Sequence, residues 1–383
     1  FFILLSVFEI VERIPKKICE CVLKSRQKFF GVKSMRRSSL KKFLIAAVGI
    51  ASIAAIAKIG GADPADSKPP LATLTAYTTL PPETVSILSQ EYERENRIRV
   101  NFIPLTADET LERLENPPED ESVDLILSDR EVLIKIAEKN LLRSYVSESS
   151  DAVRPSFKDE NGYWVGTWYD PIVFCANQDY LNSIDRIPDA WQDLAREESI
   201  RIGITDFLAA DASANLMFQM IAQYGDVAAY QILDGIHPKV VQYTKFLSNP
   251  VRQAGMGEVD LAIAVESESL RYLQDGYPIK IIYPTDGTAY MLFGAAIPSN
   301  GNLNAEKFSD WLLSDHAQAA LQKNGFYFLS TNPSSIAYKT FAGKNLVLFD
   351  QLIEFTAEQE NEFLDRWVKD IRLKELPEVE SDS

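Results

Sequence analysis

Short apolar runs alternate with amphipathic segments from residue 71 onward. Runs rich in β-branched and apolar residues indicate six strands, at 74–77, 100–104, 123–128, 201–205, 259–265 and 280–283. Two of these, 123–127 and 259–265, are almost continuously apolar, as expected of strands that are covered on both faces. Helical periodicity falls between the strands. The alternation predicts an α/β fold in which a mostly parallel sheet is flanked by helices.

Capping signals mark where several helices begin. Pro81 and Pro82 open a segment whose apolar residues share one helical face. Ser128 and Glu131 have the S-x-x-E spacing of a capping box. Asn304 and Ser314 are predicted N-caps of two successive helices.

The segment 35–57 has the pattern of a signal peptide. A basic start at 35–42 precedes a small apolar run at 43–57, which ends in the A-x-A motif of a cleavage site. The run is shorter than the roughly 20 residues of a spanning helix, so we expect cleavage, with an uncleaved anchor as the alternative. Residues 1–34 begin with Phe and are expected to be an upstream or non-native segment. The Gly- and Pro-rich stretch 58–70 is a predicted linker.

Charge and cysteine content narrow the class of partner. Residues 1–65 hold 12 of the 39 basic and 4 of the 55 acidic side chains, which leaves the rest with a net charge of −24. Such a field repels nucleic acid and anionic lipid, so neither is an expected partner. Cys175 is the only cysteine after the leader, so an internal disulfide and a lipid-anchor cysteine are both excluded there. An exported protein without a tether points to the periplasm.

The sequence carries no recognisable catalytic, cofactor or metal motif. His237 and His316 are the only histidines and lie far apart, which does not match metal-ligand spacing. Nucleotide-binding glycine motifs and the G-x-S-x-G elbow are absent. Cys175 lies in an apolar, strand-like run, which favours a buried inert thiol. We therefore expect a protein that is not an enzyme and has no cofactor and no resident metal.

Polar residues follow the predicted strands, where parallel sheets bind their ligands. Ligands of such sheets lie outside the carboxyl ends of the strands, and helix N-termini there add backbone N–H donors. The candidate ligand-binding residues are Thr78, Thr79, Ser128, Asp129, Trp168, Tyr169, Asp211, Ser213, Glu266 and Asp286. The two aromatic side chains are candidates for stacking on a ligand. Helix capping, a turn at Asp286 and core packing of the aromatic residues are the alternatives.

The order of these landmarks resembles the extracellular solute-binding proteins of family 1 and the neighbouring iron(III)- and polyamine-type binding proteins of ABC importers. The resemblance extends over residues 74–333. The matching segments are 74–79, 123–128, 158–166, Asn177 with the P-x-x-W-x-D-L pattern at 188–194, 257–263, 283–288, 304–308, 313–318 and 324–326.

The resemblance implies a type II, two-lobed periplasmic-binding-protein fold. Its first lobe is expected at 71–169, its second at 170–283, and 284–383 is expected to return to the first lobe and add C-terminal helices. Such a protein captures a small polar solute by hinge closure and delivers it to the membrane subunits of an ABC permease. We expect it to act as a monomer.

The ligand is left open by the residues. Ferric-binding relatives place a tyrosine pair after the strand that matches 261–265, but this chain has Glu266, Ser267 and Glu268 there, which disfavours ferric iron. Carboxylates beside Trp168 and Tyr169 favour a cationic amine of the polyamine or thiamine type. If the carboxylates only cap helices, an oxyanion such as a phosphonate is the alternative. Two other functions stay open: a thiaminase-like transferase that uses Cys175, and a solute-sensing adaptor protein.

Overall fold

The computed structural model describes residues 71–119, 121–341, 344–351 and 353–373. The predicted signal peptide 35–57, linker 58–70 and upstream segment 1–34 lie outside the described residues. Among the helices of the described ranges, none has the length and apolar character needed to cross a membrane.

Strands and helices alternate through the described part of the chain. The strands are β1 Ala72–Thr78, β2 Ile98–Pro104, β3 Leu125–Asp129, β4 Trp164–Asn177, β5 Ile202–Thr205, β6 Val240–Thr244, β7 Leu261–Val265, β8 Ile279–Ile282, β9 Tyr290–Ala296 and β10 Leu329–Ser330. The first seven helices are α1 Pro82–Asn96, α2 Ala107–Glu115, α3 Arg130–Glu138, α4 Glu148–Ala152, α5 Gln178–Ser183, α6 Trp191–Arg196 and α7 Asp211–Tyr224. The remaining ones are α8 Asp226–Ile236, α9 Ser248–Gly255, α10 Glu266–Gln274, α11 Leu303–Leu312, α12 Asp315–Lys323, α13 Ile336–Phe341 and α14 Ala357–Arg366, which continues as a π-helix at Trp367–Arg372.

Strand β4 joins two groups of strands. The hydrogen-bonded order is β2-β1-β3-β9-β4-β7-β5-β6, and β8 and β10 also pair with β4. The first half of β4 pairs with β9 and β10, and its second half pairs with β7 and β8. Parallel pairing holds β1 to β2 and β3, and β5 to β6 and β7. The predicted α/β architecture with two mostly parallel strand groups joined by crossing strands is confirmed.

Each strand group has its own apolar core. On the first group, the aromatic rings of Tyr92, Phe308 and Trp311 pack within 4.7 to 5.8 Å of one another. On the second group, Phe174 packs edge-on against the buried Trp191 at 4.8 Å. Two separately packed cores linked by a few strands are the arrangement that permits hinge motion between them.

Two predicted helix caps are shifted by one or two residues. The N-cap of α3 is Asp129, whose carboxylate accepts from the backbone N–H of Val132, so the capping box predicted at Ser128 is wrong. Asn302, two residues before the predicted Asn304, caps α11. Ser314 caps α12 as predicted. Aspartate and serine accept equally well at this position, so the motif alone could not fix the start of α3.

The C-terminal segment packs differently from the expectation for 284–383. Leu346 and Leu348 contact the core of the first strand group, whereas Phe349, Trp367 and Ile371 are buried in that of the second. The chain crosses beside Thr288, which bonds to the backbone of 347 and 349 at 3.0 and 2.9 Å. Phe349, Trp367 and Ile371 therefore contribute to the core of the second group, whereas Glu354 and Glu360 lie near Lys135 of α3 in the first group. The lobe boundaries at 169/170 and 283/284 stay a prediction.

Candidate functional site

The register of β4 brings two strand ends to face each other. Asp129, at the end of β3, pairs with Phe293, which in turn pairs with Trp168 of β4. Val265, at the end of β7, pairs with Ile172 four residues further along β4. Because β3 runs parallel to β4 and β7 runs antiparallel to it, both carboxyl ends point at the intervening residues. The separation is about 13 Å at roughly 3.3 Å per residue, which suits a small solute.

The rim on the β3 side is a hydroxyl and carboxylate cluster. Thr79 Oγ1 lies 2.7 Å from Ser128 Oγ and donates to Asp129 Oδ2 at 3.1 Å. Thr78 is buried, and its hydroxyl accepts from the backbone N–H of Leu80 at 3.1 Å. The four residues predicted from the ends of two strands are therefore neighbours, with Asp129 also occupied as the cap of α3.

The opposite rim contains two buried carboxylates. Asp170 accepts hydrogen bonds from the backbone N–H and the hydroxyl of Ser267, at 3.0 and 2.5 Å. Glu266, at the start of α10, is fully buried and accepts a hydrogen bond from Tyr283 through Oε1. Its Oε2 is enclosed without a protein hydrogen-bond partner.

Burial controls the protonation of both carboxyl groups. It raises the pKa of Asp170 to about 7, although the hydrogen bonds from Ser267 oppose the rise. It raises the pKa of Glu266 to about 8 against the lowering effect of Tyr283, and the nearby charge of Asp170 adds to the rise. An enclosed carboxylate with an unused oxygen is costly unless a cation or a donor meets it.

The two aromatic residues of β4 between the rims, Trp168 and Tyr169, are both buried in apolar cores of the first strand group. Tyr169 is buried, with ring centroids 5.0 Å from Phe157 and 6.2 Å from Tyr290. Burial raises the pKa of Tyr169, and the charges of Arg154 and Glu266 act on it in opposite directions. Trp168 is fully buried and stacks on Phe328 at 6.2 Å, so it packs in the first core.

The remaining predicted residues have other surroundings. Asp211 is exposed in the first turn of α7, and Ser213 is buried two residues later. Asp286 accepts from the backbone N–H of Trp191 at 3.0 and 3.1 Å and so holds the start of α6 against the crossing segment. The described contacts do not bring these three side chains to the Asp170 and Glu266 cluster.

Two residues of the Asp170 and Glu266 cluster, Asp170 and Tyr283, are absent from the candidate residues of the sequence. Asp170 interrupts an apolar strand, and a charged residue inside a buried run is itself a sequence signal of a site. Tyr283 meets Glu266 only because β8 lies beside β4, which local pattern does not reveal.

Other features of the described residues do not offer a competing site. Two shallow surface depressions, one beside Tyr230 and Arg366 and one beside Val85 and Phe102, include none of the candidate residues. Within the described ranges, His, Cys, Asp and Glu side chains nowhere gather in threes that could hold a metal ion. Cys175 is fully buried, and burial raises the pKa of its thiol to about 12.

A model of the bacterial extracellular solute-binding protein family matches residues 77–327. The chain belongs to this family. The spermidine/putrescine-binding periplasmic protein of Salmonella typhimurium is 22% identical over 232 residues, which are 56% of this chain and 64% of that protein. The chain thus matches slightly less than two thirds of that relative.

Solved structures share the fold of this solute-binding protein. The periplasmic binding protein AfuA from Actinobacillus pleuropneumoniae, with fructose-6-phosphate bound, is 22% identical, with 79% of this chain and 99% of that one covered at a TM-score of 0.61. The apo ferric ion-binding protein A of Pasteurella haemolytica is 18% identical, with 77% and 96% covered at a TM-score of 0.63. The type II periplasmic-binding-protein fold that the sequence resembled is confirmed.

Proposed function

We propose that this protein acts in the periplasm, where it captures a small cationic amine between its two strand groups. It then delivers the amine to the membrane subunits of an ABC importer. The observation that carries the proposal is the pair of buried carboxylates, Asp170 and Glu266, beside Tyr169 and Tyr283. An ammonium group donates hydrogen bonds to the carboxylates and adds to the positive charge of Lys344, which acts on Glu266 and donates to Tyr283 at 3.2 Å. Aromatic faces attract the ammonium further.

The position of the pair suits capture by closure. Asp170 lies on the crossing strand β4, and Glu266 begins α10 in the second strand group. The hydroxyl cluster of Thr79 and Ser128 belongs to the first group. A ligand that touches both groups stabilises the closed arrangement by the contacts that only this arrangement offers.

The proteins similar to this chain suggest three classes of ligand. The names of the compared proteins include spermidine/putrescine-binding, fructose-6-phosphate-bound and ferric ion-binding proteins. Ferric iron is disfavoured because a glutamate and a serine, Glu266 and Ser267, stand where the resemblance leads us to expect the tyrosine pair. The buried carboxylates favour the amine over an oxyanion alone, since an anion beside them is repelled.

A thermal-shift screen of the full chain tests the proposal. Spermidine, putrescine, thiamine, phosphonates, fructose-6-phosphate and ferric citrate are compared, since a ligand that binds only the folded state raises the melting temperature. We expect a shift with an amine, lost in Glu266→Gln and kept in Glu93→Gln. Glu93 is a matched surface control, because it pairs with Arg99 on the far side of the first strand group. A shift with ferric citrate or a simple oxyanion, and with no amine, contradicts the proposal.

The enzyme alternative lacks support from the geometry around Cys175. A nucleophilic cysteine needs an accessible thiolate, whereas this thiol is buried in an apolar cluster with Val251 and Val259 and has a raised pKa. The sensing adaptor shares the proposed solute capture and differs only in the membrane partner that reads the closed form.

A further inference from the structure

A buried arginine lies near the same aromatic group as the carboxylate pair, since Arg130 acts on Tyr290 and Glu266 acts on Tyr169. Arg130 begins α3 directly after Asp129, and only 6% of its surface is exposed. Its Nη2 donates to Glu131 Oε1 at 3.2 Å, whereas Nε and Nη1 are enclosed without protein acceptors. Enclosing such donors is unfavourable unless an acceptor reaches them.

A second arginine, Arg154, lies beside the same aromatic residues. The guanidinium of Arg154 sits 3.7 Å from the ring centroid of Phe157, which is 5.5 Å from the ring of Tyr290. Burial raises the pKa of Tyr290, and the charges of Arg130 and Arg154 counteract that rise. Both cations therefore lie near the Tyr290 side chain.

Three aromatic rings lie near the two charged groups. Phe157, Tyr169 and Tyr290 form a mutually contacting group with centroids between 5.0 and 6.2 Å apart. Tyr290 pairs with Pro171, next to Asp170, and Tyr169 precedes Asp170 in β4. Arg130 acts electrostatically on Tyr290, whereas Glu266 acts on Tyr169, so the two charged groups lie near different rings of the same aromatic group.

We infer that the solute is a compact zwitterion, with its amine at Asp170 and Glu266 and an anionic phosphonate, phosphate or carboxylate group at Arg130. The inference rests on the proposed amine capture and extends it to the other end of the ligand. An anion there supplies the acceptors that Nε and Nη1 lack. Charge-assisted hydrogen bonds of this kind are about twice as strong as neutral ones. Asp129 accepts from Val132 and Thr79 rather than from the arginine among the described hydrogen bonds.

The test compares ligands that differ only in their end groups. Calorimetric titration of the full chain uses diamines, ω-aminoalkylphosphonates and alkylphosphonates with ethyl, propyl and butyl chains. We expect the best aminoalkylphosphonate to bind at least about tenfold more tightly than the diamine and the alkylphosphonate of the same length, the effect of one added charged contact.

Variants assign the effect to one residue. Arg130→Met is expected to remove the preference for the aminoalkylphosphonate, because the anionic end loses its donors and the second ammonium of a diamine is no longer repelled by the guanidinium. Arg186→Met, at a surface pair with Asp193, is the matched control and should keep the preference. If Arg130→Met does not fold, the milder Arg130→Lys keeps the charge with fewer donors and should weaken aminoalkylphosphonate binding selectively.

The titrations distinguish capture of a zwitterion from capture of an amine alone. Diamines that bind as tightly as aminoalkylphosphonates, with no selective effect of either Arg130 variant, overturn the zwitterion and leave amine capture intact. Alkylphosphonates that bind as tightly as the aminoalkylphosphonates overturn amine capture and retain an anion site. No binding by any member of the series overturns both.

Discussion

Ser267 donates both its backbone N–H and its hydroxyl to the carboxylate of Asp170, at 3.0 and 2.5 Å. This contact links the crossing strand β4 to the first turn of α10. It fixes the orientation of Asp170 next to Glu266, and it puts a hydroxyl donor where a bound ammonium must share the same carboxylate. Amine binding at the proposed site therefore depends on Ser267, although this residue carries no charge.

Replacing Ser267 by alanine is expected to weaken amine binding about tenfold. Loss of a hydrogen bond to a charged group costs about 1.5 to 3 kcal/mol. Part of this cost lowers the amine affinity, because Asp170 is then less well ordered in the binding site. Titration calorimetry measures the effect. Ser183→Ala, which removes a surface hydroxyl bonded to the carbonyl of Tyr180, is the control and should leave the affinity unchanged. Equal affinities of Ser267→Ala and wild type contradict a positioning role for Ser267.

Protein stability and amine affinity should change with pH in opposite directions. The pKa values of Asp170 and Glu266 are raised to about 7 and about 8, above the roughly 4 of carboxyl groups in an unfolded chain. Between the unfolded and the folded pKa values, the folded protein therefore binds more protons than the unfolded chain. Its free energy of unfolding is highest below the unfolded pKa and falls as pH rises through the folded pKa values. Ammonium binding requires ionised carboxylates, so affinity rises over the same range.

Urea denaturation and calorimetry at a series of pH values measure both trends. Glu266→Gln should flatten the stability change near the pKa of Glu266 and remove much of the rise in affinity. A stability that increases with pH across this range in wild type, or a variant with an unchanged profile, argues against the buried carboxylate pair as the source.

Sequence pattern alone accounts for much of the architecture and for part of the site. The buried strand 261–265 and the rim formed by Thr79, Ser128 and Asp129 are readable from an apolar run and the polar residues after it. The partnership of Glu266 with Tyr283 depends on β8 pairing with β4, a contact that no local period contains. Asp286 is predicted as a ligand-binding residue from its position after a strand, but it caps the start of α6, which is distant in the sequence. A polar residue after a strand can serve either purpose.

The C-terminal segment contributes Trp367 to the second core, and this burial predicts a stability effect. Trp367 is buried, and its ring packs 4.8 Å from Phe207 and 5.8 Å from Tyr243. Trp367→Ala should lower the free energy of unfolding by about 3 to 5 kcal/mol, the usual cost of such a cavity. Urea denaturation gives the value, with the exposed Phe246→Ala as control. A loss below about 1 kcal/mol would mean that this segment is not part of the second core.

Cys175 should be unreactive in the native protein. Its enclosed thiol has a pKa of about 12, so little thiolate forms at neutral pH. Treatment with iodoacetamide followed by peptide mass mapping is expected to show Cys175 unmodified until denaturant is added. Rapid native alkylation, slowed by an amine ligand, would instead revive the transferase alternative.

Glu266, together with Asp170, is proposed to receive the amine of the captured solute. Calorimetric titration of the stabilising amine into wild type and Glu266→Gln at neutral pH, in buffers with different ionisation enthalpies, tests this role. Because a bound cation lowers the raised pKa values, we expect proton release on binding to wild type. In Glu266→Gln we expect less proton release and an affinity at least about tenfold lower. Equal affinity and equal proton release in the two proteins would show that Glu266 does not receive the amine.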